Sequence, residues 1–290
     1  MPASVAPDPA GNPRHVDATE AERLVDEGQV HLLDVRTPQE FTSLGHIPGA
    51  ALLPVNLIAT APAVVPRDGK PVLVYCEHGI RSQQAAQVLV QAGYDDVLNL
   101  VGGMSTWRAA RGYESQPIAG PSRWLLENGD LLKGERALDV ACGRGRHALL
   151  LAAGGWQVRG IDRDVEAIEQ LRETAGRLEF DMELDVVDLE QGSVDLGDGI
   201  YDLVVVARYL HRPLFPAMRR ALTPGGILLY ETFTIAQAEC GHPKNPRFLL
   251  QPGELPALVA PLEVVRAEEG ERDGQMVSAV VARKGSAGPA

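Results

Sequence analysis

A chain of 290 residues is long enough for about two domains. Its hydrophobic fraction of 45% can fill packed cores, and no apolar run approaches the length that spans a membrane. The net charge of −12 excludes the basic surface that non-specific nucleic-acid binding needs, so we expect neither nucleic acid nor a membrane as a partner.

The first residues and the cysteines indicate the setting in which the protein works. Residues 1–14 are rich in proline and lack the apolar segment of a signal peptide, which predicts a disordered arm. Cys76, Cys142 and Cys240 follow neither a metal-ligand spacing nor a disulfide framework. We therefore expect a cytoplasmic protein without a metal site.

The first half of the chain alternates short predicted strands and helices, the pattern of an α/β domain. Thr19 stands where an N-cap is expected, before a helix-forming run. The apolar run 71–75 predicts a central parallel strand that is buried on both faces. The other predicted elements are strands at 31–35 and 97–100, and helices at 82–92 and 102–107.

A cysteine stands where strand 71–75 is predicted to end, shortly before a helix begins. The helix dipole, the loop amides and Arg81 would all stabilise the thiolate of Cys76. A lone cysteine can also be a small buried apolar residue. The chemistry of this loop favours the reactive thiolate over that alternative.

Five separated motifs resemble those of a single-domain rhodanese over about residues 15–112. They are Leu-Asp-Val-Arg at 33–36, Glu-Phe at 40–41, Gly-His-Ile-Pro-Gly-Ala at 45–50, Cys-Glu-His-Gly-Ile-Arg-Ser at 76–82 and Gly-Gly-Met-Ser-Thr-Trp at 102–107. The resemblance implies that Cys76, together with Arg81, takes sulfane sulfur as a persulfide from a donor such as thiosulfate. It implies a persulfide cradle formed by Glu77, His78, Gly79, Ile80 and Ser82.

The length of the cysteine loop separates two activities within this family. Six residues run from Cys76 to Arg81, which is the sulfurtransferase length, whereas the loop of phosphatase-like members is one residue longer. The resemblance therefore disfavours a phosphatase. It also implies that Asp34 and Arg36 support the fold instead of taking part in the chemistry.

Residues 112–122 contain two prolines and two glycines, the composition of a linker. We place this linker at 113–120 and a second domain at 121–285.

In this second domain the apolar strand 137–141 leads through Gly143 and Gly145 into a helix, and a second strand ends at Asp162. Strand, glycine turn and helix bring backbone amides against a ligand, and the terminal acid can bind both ribose hydroxyls, so we predict a nucleoside site.

The same stretch resembles motif I of class I S-adenosylmethionine-dependent methyltransferases. Cys-Gly-Arg-Gly-Arg-His at 142–147, Gly-Ile-Asp-Arg-Asp at 160–164 and Pro-Gly-Gly at 224–226 are similar to the tellurite-resistance and thiopurine type. Ala141 replaces a common glycine, a departure that we expect to be sterically mild. The resemblance implies S-adenosylmethionine as cofactor, bound by Asp139, Ala141, Gly143, Gly145, Asp162, Asp188 and Ala207.

Two points about this second site stay open in the sequence. Asp188 is implied as the adenine contact, but Asp185 competes for that role, and a solvated loop aspartate is an equal alternative. The turn-rich segment 236–255 fits either a lid over the acceptor pocket or an ordinary surface excursion. Candidate acceptor residues follow the predicted fourth strand, 201–207: Arg208, Tyr209, His211 and Arg212.

The sequence thus predicts an N-terminal rhodanese-like α/β domain followed by a Rossmann-like, doubly wound methyltransferase sheet that ends in a hairpin of strands 262–267 and 275–283. The expected function is sulfur transfer through Cys76 joined to methylation of a small-molecule acceptor, such as a thiol or chalcogen. One alternative makes the first domain a binding or redox-sensing module. Another, an NAD-dependent second domain, is weakened by Ala148 where a third glycine would stand.

Overall fold

The computed structural model describes residues 12–191 and 194–285. One unit contains the residues up to Gly120 together with Thr174–Glu179, and a second contains the remainder from Pro121 on. Residues 1–11 of the expected N-terminal arm, 1–14, lie outside the described residues. Its last residue, Arg14, is the first residue of a strand. None of the helices in the described part of the chain is long and apolar enough to cross a membrane.

A five-stranded parallel sheet organises the first unit. Its strand order is β1-β5-β4-β2-β3, and all four residues of the central β4 are buried. This confirms the strand predicted from the apolar run 71–75. The elements are β1 Arg14–Val16, α1 Ala18–Asp26, β2 His31–Asp34, α2 Pro38–Ser43, β3 Ala51–Leu52, a 3-10 helix Val55–Ala63, β4 Val72–Tyr75, α3 Ile80–Gln91, β5 Val97–Leu100 and a 3-10 turn Gly103–Ser105.

Two local predictions for this unit are wrong. The N-cap of α1 is Asp17, whose carboxylate accepts the Glu20 N–H at 2.9 Å, so Thr19 lies inside the helix. An ionised carboxylate at a helix start satisfies a free N–H and also interacts favourably with the dipole. The helix expected at 102–107 is only the 3-10 turn Gly103–Ser105.

From Pro121 on, the chain forms a seven-stranded sheet of order β11-β12-β10-β9-β6-β7-β8. Its elements are α4 Arg123–Glu127, a 3-10 turn Gly129–Leu131, β6 Arg136–Val140, α5 Arg146–Ala153, β7 Gln157–Asp162, α6 Val165–Arg177, β8 Met182–Val186, β9 Tyr201–Ala207, a 3-10 turn Arg212–Leu214, α7 Phe215–Ala221, β10 Leu222–Phe233, α8 Gln237–Cys240, a 3-10 turn Pro246–Phe248, α9 Glu254–Val259, β11 Glu263–Arg272 and β12 Gln275–Arg283. Five neighbouring strands are parallel, whereas β12 is antiparallel to both β10 and β11, which confirms the predicted hairpin.

The strand order places a cleft at one edge of this sheet. From β6 the chain proceeds outward to β7 and β8, and it then returns to the other side of β6 with β9 and β10. At such a reversal the loops that leave adjacent strands diverge to opposite faces, and ligands bind outside the carboxyl ends of the strands. Apolar clusters cover both faces, one around Phe215 and Tyr230 and the other around Trp124 and Leu229. The fold is therefore the predicted doubly wound sheet.

Candidate active sites

The sulfur of Cys76 lies directly beyond the C-terminal end of β4. Since β4 is wholly buried, the position of this sulfur is fixed by the core. Gly79, the N-cap of α3, has a φ of 86°, a left-handed conformation that turns its N–H toward the sulfur. The Gly79 N–H donates to Sγ at 3.1 Å, and the Ser82 hydroxyl donates to the same atom at 3.4 Å.

These donors control the ionisation of Cys76. Burial alone would raise the pKa of the thiol, since only 1% of the residue is exposed. The Ser82 hydroxyl and the backbone N–H groups of Ser82, His78 and Gly79 stabilise the anion, and together they outweigh burial and lower the pKa. The lowered pKa favours the thiolate, the form in which cysteine is nucleophilic, and N–H and O–H donors face its sulfur.

Backbone hydrogen bonds hold the base of this loop in place. The Met104 N–H donates to the Cys76 carbonyl at 2.9 Å, and the Ser105 N–H donates to the Glu77 carbonyl at 3.0 Å. The Glu77 carboxylate accepts from Arg36 Nη1 at 2.8 Å. Arg36 is fully buried and also bonds Asp34, in keeping with a role in the fold. Glu77 therefore contributes its backbone to the loop, while its side chain is turned to Arg36.

The side chain of Arg81 is paired with Glu40. Its Nη1 and Nη2 donate to the two carboxylate oxygens at 2.8 and 2.5 Å, and this bond lowers the pKa of Glu40 to about 2. The bond to Glu40 raises the pKa of Arg81, and the Cys76 charge adds to that rise. The side chains of His78 and Ile80 are exposed, and Ile80 is 70% accessible. Of the predicted cradle residues, His78, Gly79 and Ser82 act on the sulfur through their backbone N–H groups, and Ser82 also through its hydroxyl.

In the second unit, the turn after β6 is tied to the end of β7. The Gly143 N–H donates to Asp162 Oδ2 at 2.8 Å, and the Asp164 N–H donates to Oδ1 at 2.9 Å. Asp139 lies beneath the turn, where it accepts the Ala148 N–H at 3.0 Å, and burial raises its pKa to about 7. Gly145 is required at the start of α5, since its φ is 78° and a Cβ would lie 2.4 Å from Leu171 Cδ1.

The residue before this turn carries backbone strain that the sequence did not predict. Ala141 has a φ of 56°, in the left-handed region that costs a residue with a Cβ about 1–2 kcal/mol. The expectation that alanine would be a mild replacement for glycine is therefore wrong for the backbone. The conformation is retained because the strand end and the turn hold it on both sides.

A cavity of about 290 Å³ opens at the carboxyl ends of β6, β7, β8 and β9. Four of the predicted cofactor residues line it: Ala141, Asp162, Asp188 and Ala207. Asp139, Gly143 and Gly145 instead build its support. Asp188 holds the Glu190 N–H at 3.0 Å on the cavity wall, whereas Asp185 pairs with Arg159 at 2.9 Å. Asp188 therefore lines the cavity, whereas Asp185 does not.

Several lining residues were missed by the sequence reasoning. They are Arg163, Val187, Leu189, Glu190 and Phe248. Phe248 belongs to the 3-10 turn Pro246–Phe248, within the segment that the sequence left as a lid or a surface excursion. The only signal there was an aromatic side chain among polar and turn-forming residues. Phe248 lies 39 or more positions along the chain from the other lining residues, so its place at the cavity depends on tertiary packing.

The structure separates the predicted acceptor residues into two groups. Arg208 and Tyr209 line the cavity. Arg212 pairs with Glu254 at 2.5 Å and donates to the carbonyls of Arg247 and Leu249 at 3.1 and 3.0 Å. It therefore holds the segment that carries Phe248 and does not face the cavity. His211 is the N-cap of the 3-10 turn Arg212–Leu214 and does not line the cavity either.

Comparison with solved structures finds similar chains for the second half. TehB from Haemophilus influenzae superposes with a TM-score of 0.48 at 18% identity, covering 55% of this chain and 61% of that chain. A SAM-dependent methyltransferase from Aquifex aeolicus gives 0.44 at 21% identity, covering 55% and 87%.

Curated relatives are found for the first half. A sulfurtransferase from Allochromatium vinosum is 45% identical over 87 residues, which are 30% of this chain and 79% of that protein. Thiosulfate sulfurtransferase GlpE from Vibrio cholerae is 38% identical over 96 residues, 33% of this chain and 89% of that protein. Residues 17–110 match the rhodanese-like domain family, and residues 137–226 match a methyltransferase domain family. The chain therefore belongs to the rhodanese family through its first domain and, with the methyltransferase domain that follows, is a two-domain transferase.

Proposed function

We propose that Cys76 carries sulfane sulfur as a persulfide, and that the second domain transfers a methyl group from S-adenosylmethionine to a small-molecule acceptor, a thiol or chalcogen. The first activity is carried by one observation, the Cys76 sulfur facing the Gly79 N–H and the Ser82 hydroxyl. The similarity to sulfurtransferases, one of them named for thiosulfate, supports it.

The sulfur-transfer step follows from that geometry. The Cys76 thiolate attacks the sulfane sulfur of thiosulfate, the sulfur–sulfur bond of the donor breaks, and sulfite leaves with the electron pair. The new terminal sulfur remains beside the N–H groups that stabilised the thiolate, where its negative charge is again hydrogen-bonded. A later thiol acceptor removes it and restores the thiolate.

Intact-mass measurement after incubation with thiosulfate tests this proposal. We expect the full-length protein to gain one sulfur atom on Cys76, to lose it on addition of cyanide, and to gain none when Cys76 is replaced by serine. If the wild-type protein gains no sulfur, the first domain is a binding or redox-sensing module.

The residues around the cavity fit S-adenosylmethionine. We propose that Asp162 binds the ribose hydroxyls, that Asp188 accepts from the adenine amine, and that Phe248 packs on the adenine ring. A Cβ at Gly143 would meet nothing within 4 Å, so a ligand can approach the backbone there. S-adenosylmethionine supplies a methyl group on a positively charged sulfur. Titration calorimetry with S-adenosylmethionine and a labelled-methyl panel of sulfide, selenite, tellurite, small thiols and carboxylates test the assignment.

We further propose domain limits of 15–112 and 121–285 with the linker 113–120 between them. In the structure, Gln116 Nε2 donates to the Ala50 carbonyl at 2.6 Å, and the Ala119 N–H donates to the Leu52 carbonyl at 2.8 Å. This segment thus follows the first unit for much of its length. Limited proteolysis should cut the chain at its exposed residues 113–115 before it cuts either domain.

Joining the two domains in one chain would speed methyl transfer if the second domain methylates sulfide or a persulfidated thiol that the first domain produces. A short tether gives an effective concentration of about millimolar order. With thiosulfate, a reducing thiol and labelled methyl donor, we expect methylated sulfur in the headspace. If the yield is unchanged in Cys76→Ser, sulfur is not passed between the domains.

A further inference from the structure

Two of the three buried side-chain atoms without a hydrogen-bond partner in residues 12–191 and 194–285 lie at the carboxyl edge of the second sheet. They are the Tyr209 hydroxyl and Glu231 Oε2; the third, Asn99 Oδ1, is in the first unit. Tyr209 lines the cavity already described. Glu231 does not, and no role proposed above uses it. A buried carboxylate oxygen without a partner is costly to the fold, so its retention calls for a ligand or a reaction.

Glu231 lies beside the end of the cavity that Arg208 lines. It pairs in register with Ala207, and the Arg208 N–H donates to the Glu231 carbonyl at 2.8 Å. Side chains alternate along β10, so Glu231 shares a face with Leu229, which packs with Trp124 and Ala148. That is the face on which α5 begins with Arg146. The carboxylate therefore lies between the end of β9 and the start of α5.

Two arginines, Arg146 and Arg208, create a positive electrostatic potential around the Glu231 carboxylate. Burial and then the Arg208 charge lower the pKa of Arg146, to about 10, against the opposing charges of Asp139 and Glu231. Arg208 holds a φ of 58°, a strained conformation for a residue with a side chain, and its Nη2 donates to Gln275 Oε1 at 3.0 Å. Strain of this kind persists where the surrounding structure enforces it, often at functional sites. The pair of guanidinium groups suits an anionic ligand.

The charged groups that act on Glu231 come from three elements. They are Arg272 and Asp273 on the β11–β12 hairpin, Arg146 on α5 and Arg208 after β9. Burial raises the pKa of Glu231, the three arginines oppose that rise, and Asp273 adds to it. The net pKa is above the ordinary value, which brings the carboxylate nearer to the range in which it can accept a proton at neutral pH.

We propose that Glu231 is the catalytic base for methyl transfer to small thiols that carry a second, negative group, held by Arg208 and Arg146. This inference rests on the proposed methyltransferase function. The thiol proton passes to the Glu231 carboxylate while a sulfur lone pair forms the new carbon–sulfur bond. The bond from the methyl carbon to the positively charged sulfur of the donor breaks, and its electron pair stays on that sulfur. Glu231 then releases the proton to water.

The test uses 3-mercaptopropionate as probe and 2-mercaptoethanol as its uncharged counterpart, with the full-length protein. We expect Glu231→Gln to lower kcat for 3-mercaptopropionate by about 100-fold with little change in KM. In the wild type, kcat should rise with pH through the Glu231 pKa, and this limb should vanish in the variant. Arg208→Gln should raise KM for 3-mercaptopropionate about tenfold and leave KM for 2-mercaptoethanol unchanged. Glu263→Gln, at an exposed glutamate of β11, is the matched control.

Binding and stability give independent readouts. Glu231→Gln should bind S-adenosylmethionine as the wild type does in calorimetry, and it should melt no lower than the wild type at pH 8, because it removes a buried charge. A loss of S-adenosylmethionine affinity would overturn the inference, since Glu231 would then bind the donor. Retained kcat or a retained pH limb would overturn it as well. If the wild type itself does not bind S-adenosylmethionine, the proposed function fails first.

Discussion

Two turns in this chain are built alike and hold cysteines of opposite character. Each joins a buried strand with parallel neighbours to a helix, with a cysteine within two residues of the strand end and a glycine three residues later. Gly79 and Gly145 both adopt left-handed φ values, 86° and 78°, as N-caps. Yet the pKa of Cys76 is lowered and that of Cys142 is raised.

The difference comes from the groups that face each sulfur. Cys76 receives hydrogen bonds from Gly79 and Ser82. Burial raises the pKa of Cys142, and the Asp139 and Asp162 carboxylates raise it further. A strand–turn–helix connection therefore supplies a site but not its chemistry. The direction of the N–H groups and the sign of the nearby charges make one turn a nucleophile site and the other the support of a cavity.

The largest expected effect comes from replacing the cysteine of the first turn. Cys76→Ser should lower sulfur transfer from thiosulfate to cyanide by about three orders of magnitude or more, since it removes the nucleophile. Cys142→Ser is the matched control, because it makes the same change in the other turn and should leave that rate unaltered. Equal losses in the two variants would show that the turns are not chemically distinct.

The next effect concerns the carboxylate that distinguishes the second turn. Asp162→Ala should weaken S-adenosylmethionine binding more than tenfold in calorimetry, because a charge-assisted hydrogen bond of this kind contributes about 1.5–3 kcal/mol. Asp185→Ala should leave the affinity unchanged, since Asp185 is paired with Arg159 outside the cavity. An effect of Asp185→Ala as large as that of Asp162→Ala would contradict the assignment of the site.

A smaller effect tests the hydrogen bonds to Cys76. Ser82→Ala removes one donor to the sulfur, so the pKa of Cys76 should rise, and alkylation by iodoacetamide near neutral pH should slow several-fold. The midpoint of the alkylation–pH curve should move upward. Ser105→Ala, which removes a hydroxyl bonded to the Gly102 carbonyl, should leave that midpoint in place. An unmoved midpoint in Ser82→Ala would assign the lowered pKa to the backbone alone.

The smallest effect concerns the strained residue before the second turn. Ala141→Gly relieves the left-handed strain but gives the unfolded chain more freedom, so the net gain should be about 0.5–1 kcal/mol in unfolding free energy. Thermal melts monitored by tryptophan fluorescence measure it. The same change in α5, Ala148→Gly, should instead cost about 1 kcal/mol. A destabilised Ala141→Gly would mean that the methyl group packs usefully.

Residues close together in sequence determined much of this protein. The apolar run 71–75 contains β4, whose residues are all buried. The local sequence alone therefore places Cys76 between the end of this strand and the start of a helix. The glycine at 145 and the acid at 162 likewise follow from strand, turn and helix patterns that need few distant contacts. For this reason the two α/β domains, their order along the chain and the assignment of both as transferases could be inferred from the sequence.

Only the tertiary structure decided which side chains meet. Arg81 pairs with Glu40, forty-one residues away, and Arg212 pairs with Glu254. The sequence had instead assigned Arg81 to the sulfur of Cys76 and Arg212 to the acceptor site. Phe248 reaches the cavity from the 3-10 turn Pro246–Phe248, and Glu231 reaches the carboxyl edge of the sheet because β10 pairs with β9. Hydrogen bonds between distant residues depend on register and burial, which local pattern does not encode. The left-handed Ala141 likewise precedes a long-range bond, since the Cys142 N–H donates to the Ile161 carbonyl at 3.1 Å.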